Sequence, residues 1–286
     1  MERVITFTAP HSGKMRDVLR NRFSARFCTF LKKEEGRILH LGAPATGRTL
    51  VSAGDEVTVR FCEEIRPPKK AAALSGALAL TVRYEDEDII AVHKPRGVAS
   101  LSTFGYEETN VISALYAQNP HYNYHVVTRL DKDTEGLVLV AKSGAVHSLL
   151  QALGTDLKKE YLAEAEGMFS RPVTVDAPIA RGADVTRVIS AAGQRAITQI
   201  LPLHSAGGRT YLCALPITGR THQIRLHLSY IGHPVCGDTL YGRGVGAYNS
   251  GQHLACYRLT FPHPVTGKTV QITDSLPSFW VGEKPF

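Results

Sequence analysis

Thr128-Arg129-Leu130-Asp131-Lys132-Asp133-Thr134-Glu135-Gly136 runs directly into the apolar stretch Leu137-Val138-Leu139-Val140-Ala141-Lys142. The pattern sets one carboxylate, Asp131, in a tight acidic turn between two strand-like segments. A carboxylate so placed can act as a nucleophile or as an acid–base group. Roughly ninety residues on, Thr218-Gly219-Arg220-Thr221-His222-Gln223-Ile224-Arg225-Leu226-His227-Leu228 offers a helical segment with cations, the partner that such a carboxylate needs. Together the two segments point to an enzyme and not merely to a binder.

Three other readings of the turn compete. Acidic side chains at the first, third and fifth places, with Gly136 at the sixth, invite a calcium loop, but the twelfth place is Lys142 where a bidentate Glu must sit. The D-x-D-x-T pattern is also that of haloacid-dehalogenase-like phosphatases, which expect a doubly wound parallel sheet and a later acidic pair for magnesium. Here Gly237-Asp238-Thr239-Leu240-Tyr241-Gly242 supplies only one acid, so a magnesium-dependent phosphohydrolase is the minor alternative. In isolation the turn is simply a solvated hairpin connection, for which Asp, Thr and Gly are common choices.

The elements that must position these residues are mostly strands. From about residue 78 strand-like runs fall at 80–84, 89–93, 125–130, 136–142, 160–166, 197–203, 210–216, 254–261 and 269–273, with helical patterns at about 109–118, 144–153 and 219–231. Strands this numerous with few helices between them predict an α+β domain on a mixed, largely antiparallel β-sheet. In the last helix Ile224, Leu228 and Ile231 form the buried face, which leaves Arg225 on its flank.

The segment before residue 67 is different. Leu19, Phe23, Phe27 and Leu31 recur four apart while Arg16, Arg20, Arg22 and Arg26 take other faces; Ser24 can cap a second helix and Gly36 can end it. Strands at 38–41 and 56–61 complete a small αα-hairpin module, 1–66. Pro67-Pro68-Lys69-Lys70 and the alanines after it read as a linker over 67–77, followed by a catalytic domain over 78–286.

The chain has 286 residues, 43% of them hydrophobic, enough for one large domain and a small one. Of its 33 Lys+Arg and 26 Asp+Glu, residues 1–70 hold 14 basic and 8 acidic residues, so the first segment is basic and the remainder nearly neutral. That asymmetry suits a docking module for a polyanion. Five scattered cysteines argue against a disulfide framework, and no stretch reads as a signal peptide or bilayer span, which predicts a cytoplasmic protein with no membrane partner. His222 and His227, five apart, lie on different helix faces, and no Cys/His cluster has metal-ligand spacing, so no metal is expected.

Four ordered segments resemble the RluA-type pseudouridine synthases over about residues 80–275. Arg129-Leu130-Asp131 through Lys142 resembles the family's R-L-D-x-x-T-x-G-L-L-L-x-A-K motif. Val92-His93-Lys94-Pro95-Arg96-Gly97 is similar to its K-P-x-G strand end, and Lys159-Glu160-Tyr161-Leu162-Ala163 to its K-x-Y-x-A strand. Gly219 to Leu228 with Gly232-His233-Pro234-Val235-Cys236-Gly237-Asp238 resembles its G-R-T-H-Q-I-R-x-H-L…G-x-P-x-x-G-D block. More loosely, residues 1–66 are similar to the small helical RNA-binding module that many members carry in front.

The resemblance implies isomerisation of uridine to pseudouridine in structured RNA, ribosomal or transfer, by a monomer that needs no cofactor. It implies that Asp131 is the nucleophile, that Arg225 pairs with it, and that Tyr161 stacks on the flipped base and takes the C5 proton. Arg129, Arg220, Lys94, His222 and Gln223 are then expected at the substrate. Whether the carboxylate attacks the sugar or assists elimination stays open, and an RNA-binding or RNA-folding factor without catalysis is the alternative. The family has His or Arg where Thr128 stands and Ser where Glu135 stands; both flank the nucleophile and bear on substrate preference or rate.

Overall fold

The computed structural model describes residues 2–33, 37–65, 78–101, 109–242 and 251–285, with Arg26 lacking a described side chain. The expected linker 67–77 and the helix-ending Gly36 lie outside these residues.

The N-terminal unit contains β1 (Glu2–Thr8), β2 (Gly13–Lys14), α1 (Met15–Arg22), α2 (Ala25–Leu31), β3 (Ile38–His40), β4 (Ala43–Pro44), β5 (Leu50–Val51) and β6 (Glu56–Cys62). The two helices are where the four-residue spacing put them, and the Ser24 side chain accepts from the Phe27 amide as the cap. The unit is nevertheless more than an αα-hairpin. β1 pairs antiparallel with β6 along its whole length in a four-stranded sheet ordered β1-β6-β3-β4. Its alternation of buried Ile5 and Phe7 with exposed neighbours was legible as a half-buried strand but is absent from the expectation above.

The larger unit continues with β7 (Thr81–Glu85), β8 (Ile89–Lys94), α3 (Val111–Gln118), β9 (His125–Val126), β10 (Glu135–Ala141), α4 (Gly144–Ala152) and β11 (Lys158–Glu166). Then come β12 (Val173–Asp176), β13 (Ile179–Arg181), β14 (Arg187–Ile189), β15 (Ile197–Ala206), β16 (Arg209–Pro216), α5 (Gln223–Tyr230), β17 (Leu254–Pro262) and β18 (Thr269–Thr273). Ten strands form one sheet ordered β12-β15-β16-β11-β17-β10-β8-β7, with β9 beside β10 and β18 beside β17. Its described pairings are antiparallel except β10 with β17, so the α+β, largely antiparallel expectation holds. The central strands are buried on both faces, which is why Leu137-Val138-Leu139-Val140-Ala141 is apolar without alternation.

The two units share a core. Ala145 and Leu149 of α4 pack among the buried residues of the N-terminal unit. The Glu63 carboxylate accepts from the Gly144 and Ala145 amides at 3.0 and 3.3 Å, placing a negative charge on the positive end of α4. Arg3 reaches Asp88 at 3.1 Å, and Arg22 donates to the Pro264 carbonyl at 2.9 Å.

The parallel crossing of β10 and β17 demands glycine. Gly136 has φ +105°, and a Cβ there would stand 2.3 Å from the Cys256 carbonyl oxygen. Gly136→Ala is expected to lower the free energy of unfolding by ~3 kcal/mol or more through left-handed strain and backbone overlap. Urea unfolding checks it, and a loss below ~1 kcal/mol would show that the crossing can open without cost.

Candidate active site

The turn that carries Asp131 is not the strand expected over 125–130. Only His125–Val126 pairs as a strand; the Val127 and Thr128 amides still donate to the Leu139 carbonyl, and beyond them side chains supply partners that a ladder would otherwise give. The Thr128 hydroxyl accepts from the Leu139 amide at 2.8 Å, and the Ser100 hydroxyl bridges the Leu130 amide and carbonyl at 3.0 Å each. The Lys132 carbonyl accepts from Lys94 Nζ at 2.9 Å and from the Gly97 amide at 3.0 Å. Gln252 Nε2 donates to the Thr134 hydroxyl, whose own amide closes the turn onto the Asp131 carbonyl. A segment held at so many points presents its carboxylate in a defined place.

Arg225, on α5, meets that carboxylate with Nη1 3.0 Å from Asp131 Oδ2. Its other edge is bidentate to Asp238, with Nε–Oδ2 2.7 Å and Nη2–Oδ1 2.8 Å. Asp238 is fully enclosed and also accepts from the Leu240 and Tyr241 amides, whereas the Asp131 side chain keeps 26% of its surface open. Burial alone would push the Arg225 guanidinium down, but hydrogen bonding and charge from Asp238, then Asp131, carry it above its ordinary value. Burial would likewise raise Asp238, and Arg225 outweighs it and holds the carboxyl below its ordinary value. Arg225 is therefore a buried, permanently charged bridge between two carboxylates, not a surface arginine on a helix flank.

His222 stands at the start of α5 in the left-handed region, φ 57°. Its Nδ1 bonds with the Tyr241 hydroxyl at 2.9 Å, and Nε2 lies 3.9 Å from Asp131 Oδ2, within charge reach but beyond a hydrogen bond. Burial pushes its imidazole below the ordinary value, which favours the neutral ring at pH 7. Tyr161, 8% exposed on β11, feels the Asp131 charge. Burial first, then Cys256 and Asp131, push its phenol well above the ordinary value. The ring can offer a face for stacking, while the general-base role needs an acidity that this burial opposes. Arg129 and Arg220 are exposed; Arg220 Nε donates to the Arg195 carbonyl at 3.1 Å.

Two expected substrate contacts are corrected. Lys94 is 0% exposed and donates to the carbonyls of Pro95, Val98 and Lys132 at 3.0, 2.7 and 2.9 Å, so its ammonium holds the Asp131 turn and has no donor left for a phosphate. Gln223 is buried with both ends occupied: Oε1 accepts from Thr218 and the Arg220 amide, and Nε2 donates to the Ile197 carbonyl and Thr198. It locks the segment before α5 and does not face substrate. The phosphohydrolase alternative also falls. The sheet is not parallel, and the late acid, Asp238, is enclosed against Arg225.

Sequence reasoning gave Asp238 no role beside Arg225, although the G-x-P-x-x-G-D segment contained it. Gln252 and the Ser100 hydroxyl carried no signal at all. The two departures from the family pattern are both paired: Thr128 caps the Leu139 amide, and Glu135 meets Arg96 at 3.3 Å.

Residues 88–230 match the family model described as RNA pseudouridylate synthase. The uncharacterized RNA pseudouridine synthase YjbO of Bacillus subtilis is 34% identical over 266 residues, covering 89% of this chain and 92% of that protein. The ribosomal large subunit pseudouridine synthase D of Vibrio cholerae is 33% identical, covering 85% of this chain and 81% of that protein. The structure of human RNA pseudouridylate synthase domain containing 4 aligns with a TM-score of 0.57 at 24% identity, over 73% of this chain and 92% of that one, a likeness of fold. The chain belongs to the RNA pseudouridine synthase family of the RluA type, and its activity is the isomerisation of uridine in RNA. No described helix is long and apolar enough to cross a membrane.

Two outcomes follow from this geometry. A hydrogen bond to a charged group is worth ~1.5–3 kcal/mol, so Asp238→Asn should slow isomerisation by ~10–100-fold while RNA binding is retained. Parallel loss of binding would show that Asp238 serves the fold instead. For Lys94, burial pushes the ammonium down to about 8 against the pull of Asp133, Asp131 and Glu135. The folded protein then releases this proton before the unfolded chain does, so the stability carried by the residue rises from about pH 8 toward the ordinary lysine range. Lys94→Met should abolish that rise, read from urea midpoints at about pH 7 and about pH 9.5; equal pH dependence in both proteins would contradict it.

Proposed function

We propose that Asp131 is the group that acts on the ribose of a target uridine, with Arg225 aiming its oxygen. The observation that carries this reading is the 3.0 Å pairing of Arg225 Nη1 with the one carboxylate of the triad that solvent can reach. The glycosidic bond from N1 breaks, the uracil turns within the site, and C5 is joined to the ribose. Nothing is gained or lost, so a carboxylate that attaches to the sugar and leaves again, or takes a ribose proton and returns it, is sufficient. Tyr161 would stack beneath the base, and the exposed Arg129 and Arg220 would hold phosphates.

A uridine in structured RNA must be flipped out to reach Asp131, which costs a few kcal/mol. Stacking and phosphate contacts would offset that cost, part of them from the basic N-terminal unit, which we read as the RNA-docking module. The names of the relatives from Vibrio cholerae, Zymomonas mobilis and Neisseria meningitidis support ribosomal RNA of the large subunit as the substrate.

Asp131→Ala should release no tritium from C5-tritiated RNA prepared from cells lacking this gene, while binding that RNA as the wild type does. Undiminished release by the variant would refute the assignment. The same cells should lack one or more pseudouridines in large-subunit ribosomal RNA; an unchanged map there with a loss in transfer RNA would redirect the substrate.

A further inference from the structure

Lys159 stands two residues before Tyr161 on β11, with the register to β17 shifting between Glu160 and Tyr161. Cys256 is the register partner of Tyr161 on β17, and its thiol lies close enough to the Lys159 ammonium for the two to perturb each other. From the opposite side, Lys159 Nζ lies 3.5 Å from where a Cβ on Gly219 would stand, in the segment that leads into α5 and Arg225. β11 and the Gly219 segment thus meet at the Lys159 ammonium, two residues along the strand from Tyr161, whose phenol feels the Asp131 charge.

The cations built into this region differ in one respect. Arg225 is occupied by two carboxylates and Lys94 by three carbonyls. Lys159, partly buried, makes no hydrogen bond or ion pair among the described residues. Burial pushes its ammonium below the ordinary value, with the Cys256 thiol pulling the other way. An unpaired, partly dehydrated cation is costly unless something anionic or strongly polar arrives to meet it.

We propose that Lys159 is a further substrate-contacting residue, whose ammonium holds a carbonyl oxygen of the target uracil and stabilises the negative charge on the detached base. The inference rests on the uridine-isomerisation reading of the Asp131 site. When the N1–C1′ bond breaks, its electron pair stays with the base and spreads over N1 and the carbonyl oxygens, while Asp131 closes on the sugar or takes a ribose proton. C5 then bonds to C1′ as the Asp131–C1′ bond breaks or the ribose proton is returned by Asp131, the C5 proton is released, and N1 takes up a proton, so the product is an isomer of the substrate. A fixed ammonium in a partly dry wall stabilises that transient anion more than the neutral base, which accelerates the reaction. The exposed Arg129 and Arg220 are better placed for phosphates, because their guanidinium groups remain open to water.

The test uses the full chain and C5-tritiated total RNA from cells lacking the gene, under single turnover. Lys159→Met should slow tritium release by ~100-fold, the scale for losing one preorganised donor to a developing anion. Its RNA affinity and the salt dependence of that affinity should match the wild type. Lys159→Arg should recover much of the rate and shift the alkaline limb of the pH–rate profile upward, because the required charge is then lost at higher pH. If the Met variant does not fold, the shift of that limb in the Arg variant decides, and an unmoved limb counts against the proposal. A wild-type rate in Lys159→Met would overturn it. So would a salt slope reduced by about one with the saturating rate unchanged, which would make Lys159 a phosphate contact. Absence of release by the wild-type protein would instead strike the isomerisation reading itself.

Discussion

One guanidinium between two carboxylates is the interaction on which the proposed site depends. Removing three charges from water costs several kcal/mol per ion, and only close, hydrogen-bonded geometry repays it. Asp238 meets that condition, enclosed and bonded to two backbone amides as well as to Arg225. With one edge of the guanidinium fixed by Asp238, the remaining Nη1 can point in one direction, and Asp131 is found there. The cluster carries one net negative charge, and it sits on the carboxylate that keeps an opening to solvent.

That geometry needs the Asp131 turn to be as rigid as the helix opposite. The backbone there leaves the sheet after Val126 and rejoins it at Glu135; the Val127 and Thr128 amides still reach the Leu139 carbonyl, and from there to Glu135 the regular ladder is interrupted. Thr128, Ser100, Lys94 and Gln252 supply substitutes, and all four are buried. Lys94 shows the logic most directly: a charged ammonium buried among three carbonyls is expensive, and it is tolerated because it ties the strand end at Pro95 to the turn at Lys132. Gly136 then allows β10 to pass against Cys256 at a distance that any side chain would forbid.

Much of this was legible in the sequence. The acidic turn before an unalternating apolar run named Asp131, and the i, i+4, i+7 spacing around Arg225 put a cation beside a packed helix face. The fold class followed from counting short strands against few helices. What failed was the separation of side chains left open at the site from side chains whose donors and acceptors are already bonded within the protein. Lys94 and Gln223 carry polar groups in segments shared with the family, and only their burial and full sets of partners show that they face inward. β12, β13 and β14 escaped because they are three or four residues long, too short for a period to register. Asp238 went unassigned because its partner is thirteen residues away through a turn, a separation with no periodic signature.

The junction between the two units bears on how binding could drive base extrusion. Glu63 sits on the first amides of α4, and the other face of that helix contributes Ala145 and Leu149 to the N-terminal core. The same helix lies against β10, the strand that Asp131 precedes. Binding energy gained at a remote surface can offset an unfavourable step at the reacting centre only if the two are held in fixed relation. A flexible tether would let the basic unit grip RNA without constraining the uridine. Here the path from the N-terminal helices to the Asp131 turn runs through packed side chains, a capped helix and a buried strand, which is the fixed relation that the proposed docking role of the N-terminal unit requires.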